Sequence, residues 1–188
     1  KLGGRAQQLK TIPYGCWSPD GNLIAGLSHS YKNIYLIKRE TDEIIKTIKL
    51  TGSFSWLYDI DWSWNGDKIL ILTSDNDTGI SSIWIIESDG TQQQKILQEN
   101  KRIYCPRWSP DGNYIYYLQE NEMTANLMKI EVSSSASVKT SQVIQAGLQA
   151  YGFSITKDDK KLCYIKDNSF YNLWKFTYSE RANLFQSK

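Results

Sequence analysis

One phrase, written four times at nearly equal intervals, constrains this chain more than any other feature. Trp108-Ser109-Pro110-Asp111-Gly112-Asn113 is followed by Tyr114-Ile115-Tyr116-Tyr117-Leu118. Pro110 pre-sets φ for a turn, and Asp111 can hydrogen-bond back to the local backbone. Gly112 supplies the positive φ that reverses the chain without splaying a hairpin. The aromatic and β-branched run that follows has the make-up of a buried strand. The phrase recurs as Trp17-Ser18-Pro19-Asp20-Gly21-Asn22-Leu23-Ile24. A worn copy is Trp62-Ser63-Trp64-Asn65-Gly66-Asp67-Lys68-Ile69, and a more degraded one is Phe153-Ser154-Ile155-Thr156-Lys157-Asp158. The aromatic anchors at 17, 62, 108 and 153 are separated by 45, 46 and 45 residues. A constant step of that length, with one strand-turn-strand signature at one phase, marks a repeat architecture.

Each repeat has room for four strands, so the predicted fold class is all-β, with four four-stranded antiparallel blades of a β-propeller. The blades are placed at about 13–50, 56–98, 103–145 and 150–186 within a single propeller segment, 1–188. Ile83-Trp84-Ile85-Ile86 is apolar on both faces, as a strand covered on both sides requires. The alternation through Ile44, Lys46 and Ile48 suits an outer strand with one wetter face. A lone blade exposes two apolar faces and must stack between neighbours. Trp17, Trp62, Trp108 and Phe153 are expected to fill the seams, each worth roughly 3 kcal/mol or more against truncation to alanine. The fourth repeat has no glycine in its first turn, which predicts a longer hairpin there, and its own fourth strand is placed at Asn183 to Gln186. Ser133-Ser134-Ser135-Ala136-Ser137 reads as a surface loop. Residues 5–12 read as the outer strand of another blade. That strand could close a four-bladed ring; the preferred expectation is a ring of six or more blades whose remainder lies beyond this segment.

The phrase Trp-Ser-Pro-Asp-Gly-Asn-x-Ile, followed by an Ile-Trp or Ile-Tyr strand and an Asp-Gly turn, resembles the WD40-like Pro-Asp repeat of TolB-type propellers. The likeness covers essentially the whole chain. Blade two departs from it with Trp64-Asn65 in place of Pro-Asp, and blade four keeps Phe153-Ser154 and the strand after it. The resemblance implies a six- to eight-bladed ring. It also implies one of three settings: a periplasmic TolB component with lipoprotein and membrane-protein partners, an extracytoplasmic sensor or scaffold of a bacterial regulator, or a propeller gating the hydrolase domain of a prolyl-oligopeptidase-like peptidase. The Asn172-Leu173-Trp174 ending of the last blade looks most like the regulator-linked group. A periplasmic or otherwise extracytoplasmic location follows from the first two settings, with a cytoplasmic one as the alternative.

The residues themselves show little catalytic chemistry. His29 is the only histidine, and a Ser-His-Asp triad would have to use it without a Gly-x-Ser-x-Gly elbow. It is read as a solvent-facing loop residue, and one histidine also argues against a histidine-based metal site. Asp75, Asn76 and Asp77 offer oxygens but lack the twelve-residue calcium-loop pattern, so ordinary hairpin chemistry accounts for them. Lys157, Lys160 and Lys161, beside Asp158 and Asp159, read as a solvated turn. Gly3-Gly4 opens no helix and cradles no phosphate. Cys16, Cys105 and Cys163 are read as small buried hydrophobes on inner strands. With 22 basic and 20 acidic side chains and a net charge of +2, no electrostatic footprint for nucleic acid exists. No apolar run is long enough to span a bilayer.

What remains is a surface. In a propeller the first strand of each blade lines the central channel, and the residues leading into it form one rim. Tyr14, Trp56, Tyr58, Tyr104 and Tyr151 occupy that position, and aromatic rings of this kind suit protein or peptide recognition. Packing against neighbouring loops is the competing account of the same rings. Arg107, with Asp59 and Asp61, is expected to face the channel. The resulting expectation is a non-catalytic protein or peptide interaction module with no cofactor and no metal. The gating propeller of a serine peptidase is the alternative, and an enzyme working in its own channel is disfavoured by the lone His29.

Overall fold

The computed structural model describes residues 12–52, 55–132, 141–167, 171–177 and 186–187, with side chains described as far as residue 165. Four antiparallel sheets follow one another along the chain, each with its strands in sequence order. The first holds β1 (Gly15–Trp17), β2 (Leu23–Leu27), β3 (Asn33–Lys38) and β4 (Ile44–Lys49). The second holds β5 (Trp56–Trp62), β6 (Lys68–Ser74), β7 (Ser81–Glu87) and β8 (Gln93–Glu99). The third holds β9 (Ile103–Trp108), β10 (Tyr114–Asn121), β11 (Thr124–Glu131) and β12 (Ser141–Leu148). The fourth holds β13 (Ala150–Ile155), β14 (Lys161–Asp167), β15 (Tyr171–Thr177) and β16 (Gln186–Ser187). The architecture is that of propeller blades.

The hydrophobic core lies between blades. Ala25, Leu27, Ile34 and Leu36 of blade one meet Leu57, Ile60, Trp62 and Ile69 of blade two. The opposite face of blade two, through Leu70, Leu72 and Ile83, meets Ile103, Trp108 and Ile115 of blade three. Blade three in turn sends Tyr116, Leu118 and Leu127 against Phe153, Leu162 and Tyr164 of blade four. Successive residues of β6 and β10 thus point into two different seams, the period-two geometry of a strand covered on both sides. The outer strands are wetter: in β4 all residues but Ile48 are exposed. The inner strands pack side by side, β1 on β5, β5 on β9 and β9 on β13. Their ladder-free edges line one channel.

The repeated turns share one hydrogen-bond pattern. In blade three the Ser109 hydroxyl donates to Asp111 Oδ1 and accepts the Tyr114 N–H. Asp111 also accepts the Asn113 N–H, and Gly112 sits at φ 74°. Ser18 and Asp20 repeat this in blade one, and Ser63 with Asn65 does so in blade two. In blade four the serine is replaced by Thr156, which donates to Asp158 Oδ1 and accepts the Lys161 N–H.

That pattern corrects three expectations. The residue equivalent to Trp17, Trp62 and Trp108 is Ile155, because Trp17↔Ile24, Trp62↔Ile69, Trp108↔Ile115 and Ile155↔Leu162 are the pairs that close the hairpins. Phe153 stands two residues earlier; it is buried in the blade three–four seam, but it is not the anchor. The fourth hairpin is also no longer than the others. Asp159, at φ 53°, supplies the left-handed residue that glycine supplies elsewhere, a conformation aspartate tolerates better than most. Finally, Trp17 fills no seam among the described residues and is 56% exposed. Its counterpart Trp62 packs towards the preceding blade, and on that side of Trp17 the structure describes no blade.

Ile12 packs on the same flank. A Cβ at Gly26 would come within 2.4 Å of the Ile12 side chain, so this strand position needs a glycine. The strand expected at residues 5–11, the serine loop at 133–137, the side chains of Asn172, Leu173 and Trp174, and residues 183–185 lie outside the described residues. The described part of the fourth strand is Gln186–Ser187, paired with Phe176 and Thr177.

Candidate functional site at the channel

Three of the four inner strands carry a bulge, in two of them at the same step. In β5 the register shifts between Leu57 and Asp59, leaving Tyr58 as the extra residue. In β13 it shifts between Ala150 and Gly152, leaving Tyr151. In β9 the slip falls after Tyr104, where Cys105 adopts φ 51°. A bulge turns a side chain out of the regular pleat and is common at the rims of closed sheets. Tyr58, Tyr104 and Tyr151 each stand four residues before their anchors Trp62, Trp108 and Ile155. In β5 and β13 the tyrosine is itself the extra residue, whereas in β9 Tyr104 pairs with Leu118 and the bulge follows it.

The three rings differ in freedom. Tyr58 is 47% and Tyr151 64% exposed. Tyr104 is half-buried against the blade three–four seam, and its hydroxyl donates to the Ala150 carbonyl at 3.2 Å. Burial raises its hydroxyl pKa to about 12, so it stays a donor. Packing accounts for Tyr104 as a brace between blades. Trp56 lies at the same end, 40% exposed, with its ring 5.3 Å from that of Tyr31. Tyr14, 48% exposed, immediately precedes β1, and its carbonyl accepts the Leu27 N–H.

Arg107 lies towards the other end of the channel. It directly precedes Trp108, at the position that Cys16, Asp61 and Ser154 hold in the other blades. Its Nη1 donates to Asp59 Oδ2 at 2.9 Å and to the Pro106 carbonyl at 2.7 Å. Asp61 Oδ2 accepts the Trp108 backbone N–H at 2.9 Å, so a blade-two carboxylate satisfies an unladdered edge of blade three. Burial pushes the Asp61 pKa up to about 6, against the opposing pull of the Trp108 N–H and of Arg107. This capping role was not legible in the sequence, because it depends on two residues 47 positions apart.

Around this end the channel widens into a cleft of about 270 Å³ lined by Trp17, Trp62, Trp64, Trp108, Asp61 and Arg107, with Ser154 and Ile155 on the far side. Nothing in the sequence reading placed these indoles together.

The cysteines are half-buried, not fully buried as expected. Cys16 and Cys105 lie on channel-lining strands, where only one side is covered. Burial pushes both thiols up, Cys16 strongly, and keeps them protonated. Cys105 Sγ donates to the Tyr151 carbonyl, while Cys163 lies on β14 with its sulfur 3.0 Å from Ser154 Oγ. His29 is exposed in the turn after β2. In the acidic loop, Asp75 Oδ1 accepts the N–H groups of Asp77 and Thr78, which is local hairpin chemistry. Among the described residues no helix is long and apolar enough to cross a membrane.

No protein family matches the chain, and no curated protein does. Solved structures do. TolB from Acinetobacter baumannii superposes with a TM-score of 0.62 at 18% identity, over 93% of this chain and 42% of that one. The β-propeller domain of Swd1 from Myceliophteria thermophila gives 0.61 at 13% identity, over 90% and 54%. Hydrazine synthase from Kuenenia stuttgartiensis gives 0.64 at 15% identity, over 86% and 51%. The chain spans about half the length of these structures. Likeness at such identities concerns the fold, and the fold is that of a propeller.

Proposed function

We propose that this chain is a non-catalytic interaction module of TolB-like propeller type, which presents the bulged end of its channel to a protein or peptide partner. The observation that carries the reading is the recurrence of a tyrosine at the inner-strand bulge, with Tyr58 and Tyr151 exposed at one end of the channel. A tyrosine held on a strand gives large contact area at little cost in conformational freedom and keeps a polar tip. Tyr14 and Trp56 extend the same surface, and Tyr104 positions blade four beside it. The repeat phrase and the superposition on TolB support an extracytoplasmic sensor or scaffold role in a bacterial protein. The half-length match to larger propellers supports a ring with more blades, which would be the chain's first partners. The near-neutral charge balance speaks against nucleic acid.

The test is co-purification with the full-length protein carrying Tyr58→Ala and Tyr151→Ala together, beside Tyr104→Phe. The double variant folds with unchanged circular dichroism and loses its bound partner, while Tyr104→Phe keeps it. Full partner retention by the folded double variant would remove the rim from the interaction.

A further inference from the structure

The tryptophan cleft at the opposite end of the channel is the larger unexplained feature. It lies about four residues further along each inner strand than the bulged tyrosines, roughly 13 Å away. Four of the seven tryptophans in the sequence line it. One is unusually open for such a large apolar ring between described blades: Trp64 is 43% exposed. Trp64 stands where two of the other repeats have proline, so its turn does not need an indole for its geometry.

The polar groups of the cleft are unequal in charge. Arg107 is committed to Asp59 by an ion pair of 2.9 Å. Asp61 has no ion-pair partner among the described residues, and its Oδ2 accepts a neutral backbone N–H. An ionised Asp61 therefore leaves one uncompensated negative charge in a cleft walled by indoles. Indole faces carry negative electrostatic potential and attract cations, most strongly when water is partly excluded. A compact cation with an apolar coat satisfies both requirements: it neutralises the carboxylate, and its methyl groups bury against the rings. A bare metal ion would keep its water, and a neutral apolar group would leave Asp61 unpaired at a desolvation cost.

We propose that this cleft binds an alkylated ammonium group, held by the Asp61 carboxylate and the Trp64 indole. The group could arrive as a small quaternary amine or at the tip of a methylated lysine. This site is independent of the tyrosine rim, so either can fail alone. Binding is linked to pH through Asp61, whose carboxyl is held above the ordinary carboxylate range by burial; Asp59, Arg107 and Cys16 are the titratable groups around it.

Calorimetric titration of the full-length protein decides the matter, with choline, with trimethyl-lysine flanked by neutral amide caps, and with 3,3-dimethyl-1-butanol, the uncharged isostere of choline. At least one ammonium compound binds saturably, and the isostere binds at least about tenfold more weakly. Asp61→Asn weakens ammonium binding by about tenfold or more, and affinity falls as pH drops from 7 to 5. Trp64→Ala, at an exposed turn position where two other repeats do without an indole, weakens it by about fivefold. Preference for choline or for the capped trimethyl-lysine identifies the source. Absence of saturable binding by both, or equal binding of the isostere, overturns the proposal. So does an unaltered affinity in folded Asp61→Asn or in Trp64→Ala.

Discussion

In blade three the turn from Ser109 to Tyr114 is built with proline, aspartate and glycine; in blade four the turn from Thr156 to Lys161 has lysine, aspartate and aspartate in their places. Both hairpins close on the same pair, anchor to seventh residue following, with the same hydroxyl-to-carboxylate bond and the same positive φ one position later. The seam-side anchor differs more. Trp108 is 2% exposed between blades two and three, whereas Ile155 is half-buried beside the cleft. Docking differs too. Blade two offers blade three an acceptor, Asp61 to the Trp108 N–H, while blade three offers blade four donors, from Tyr104 and Cys105. Turn geometry thus survives sequence change because it needs few atoms, an oxygen on a short side chain and one residue that tolerates the left-handed region. Seam packing needs volume, and isoleucine in place of tryptophan leaves that anchor only partly buried against its seam.

The largest effect that can break this comparison is at the anchors. Trp108→Ala should cost about 3–5 kcal/mol in denaturant unfolding, and Ile155→Ala at most about 2, because the latter side chain leaves a smaller cavity at a wetter site. Equal losses would mean that the two seams are packed alike.

Next comes the acceptor that blade two lends to blade three. The Asp61 pKa is about 6 in the folded chain against 3.8 for the free group. The folded state thus holds this proton more tightly. Stability is greatest with Asp61 protonated and declines as pH rises from about 4 through about 6, by up to about 3 kcal/mol. The turn aspartates act in reverse. Hydrogen bonds from Ser18 and Thr156 lower Asp20 and Asp158, and at Asp111 the Ser109 and Asn113 bonds outweigh burial. Their contribution disappears as pH falls below the ordinary carboxylate range. Urea midpoints measured from pH 3 to 8 should peak between these limits, and Asp61→Asn should flatten the neutral limb while leaving the acid limb. An unchanged neutral limb in that variant would assign the slope elsewhere.

Smaller still is the loss of the turn hydroxyl. Ser109→Ala should cost about 1–2 kcal/mol and Thr156→Val about 1 or less, since the blade-four turn is exposed and water replaces the bond more easily. At the left-handed position, Gly112→Ala should cost about 1 kcal/mol from backbone strain alone, because no atom lies within 4 Å of the added Cβ. Asp159→Gly relieves backbone strain but removes the acceptor of the Tyr116 hydroxyl, so its net effect should stay within about 0.5 kcal/mol. A larger loss there would show that the interblade bond, not the turn, holds Asp159 in place.

The repeat, the four-stranded unit and the polar-to-apolar gradient from outer to inner strands were legible because each depends on local periodicity. The phase of the fourth copy was not. Phe153-Ser154 imitates the Trp-Ser pair that opens the other turns, and the hydrogen bonds of Thr156 were needed to reveal the two-residue offset. The rim tyrosines could be picked out by position, but their division into two exposed rings and one brace came from bulges, which leave no letter of their own in the sequence.

Chain order alone determined that this protein is a string of alike wedges, because alternation and turn chemistry act over a few neighbouring residues. Tertiary structure decided what faces what across wedges: that Arg107 is taken by Asp59, that Asp61 caps the edge of the next blade, and that four indoles share one cleft. Those contacts join residues more than 40 positions apart, and a distance of that kind is set by how rigid blades stack, not by any residue's own preference.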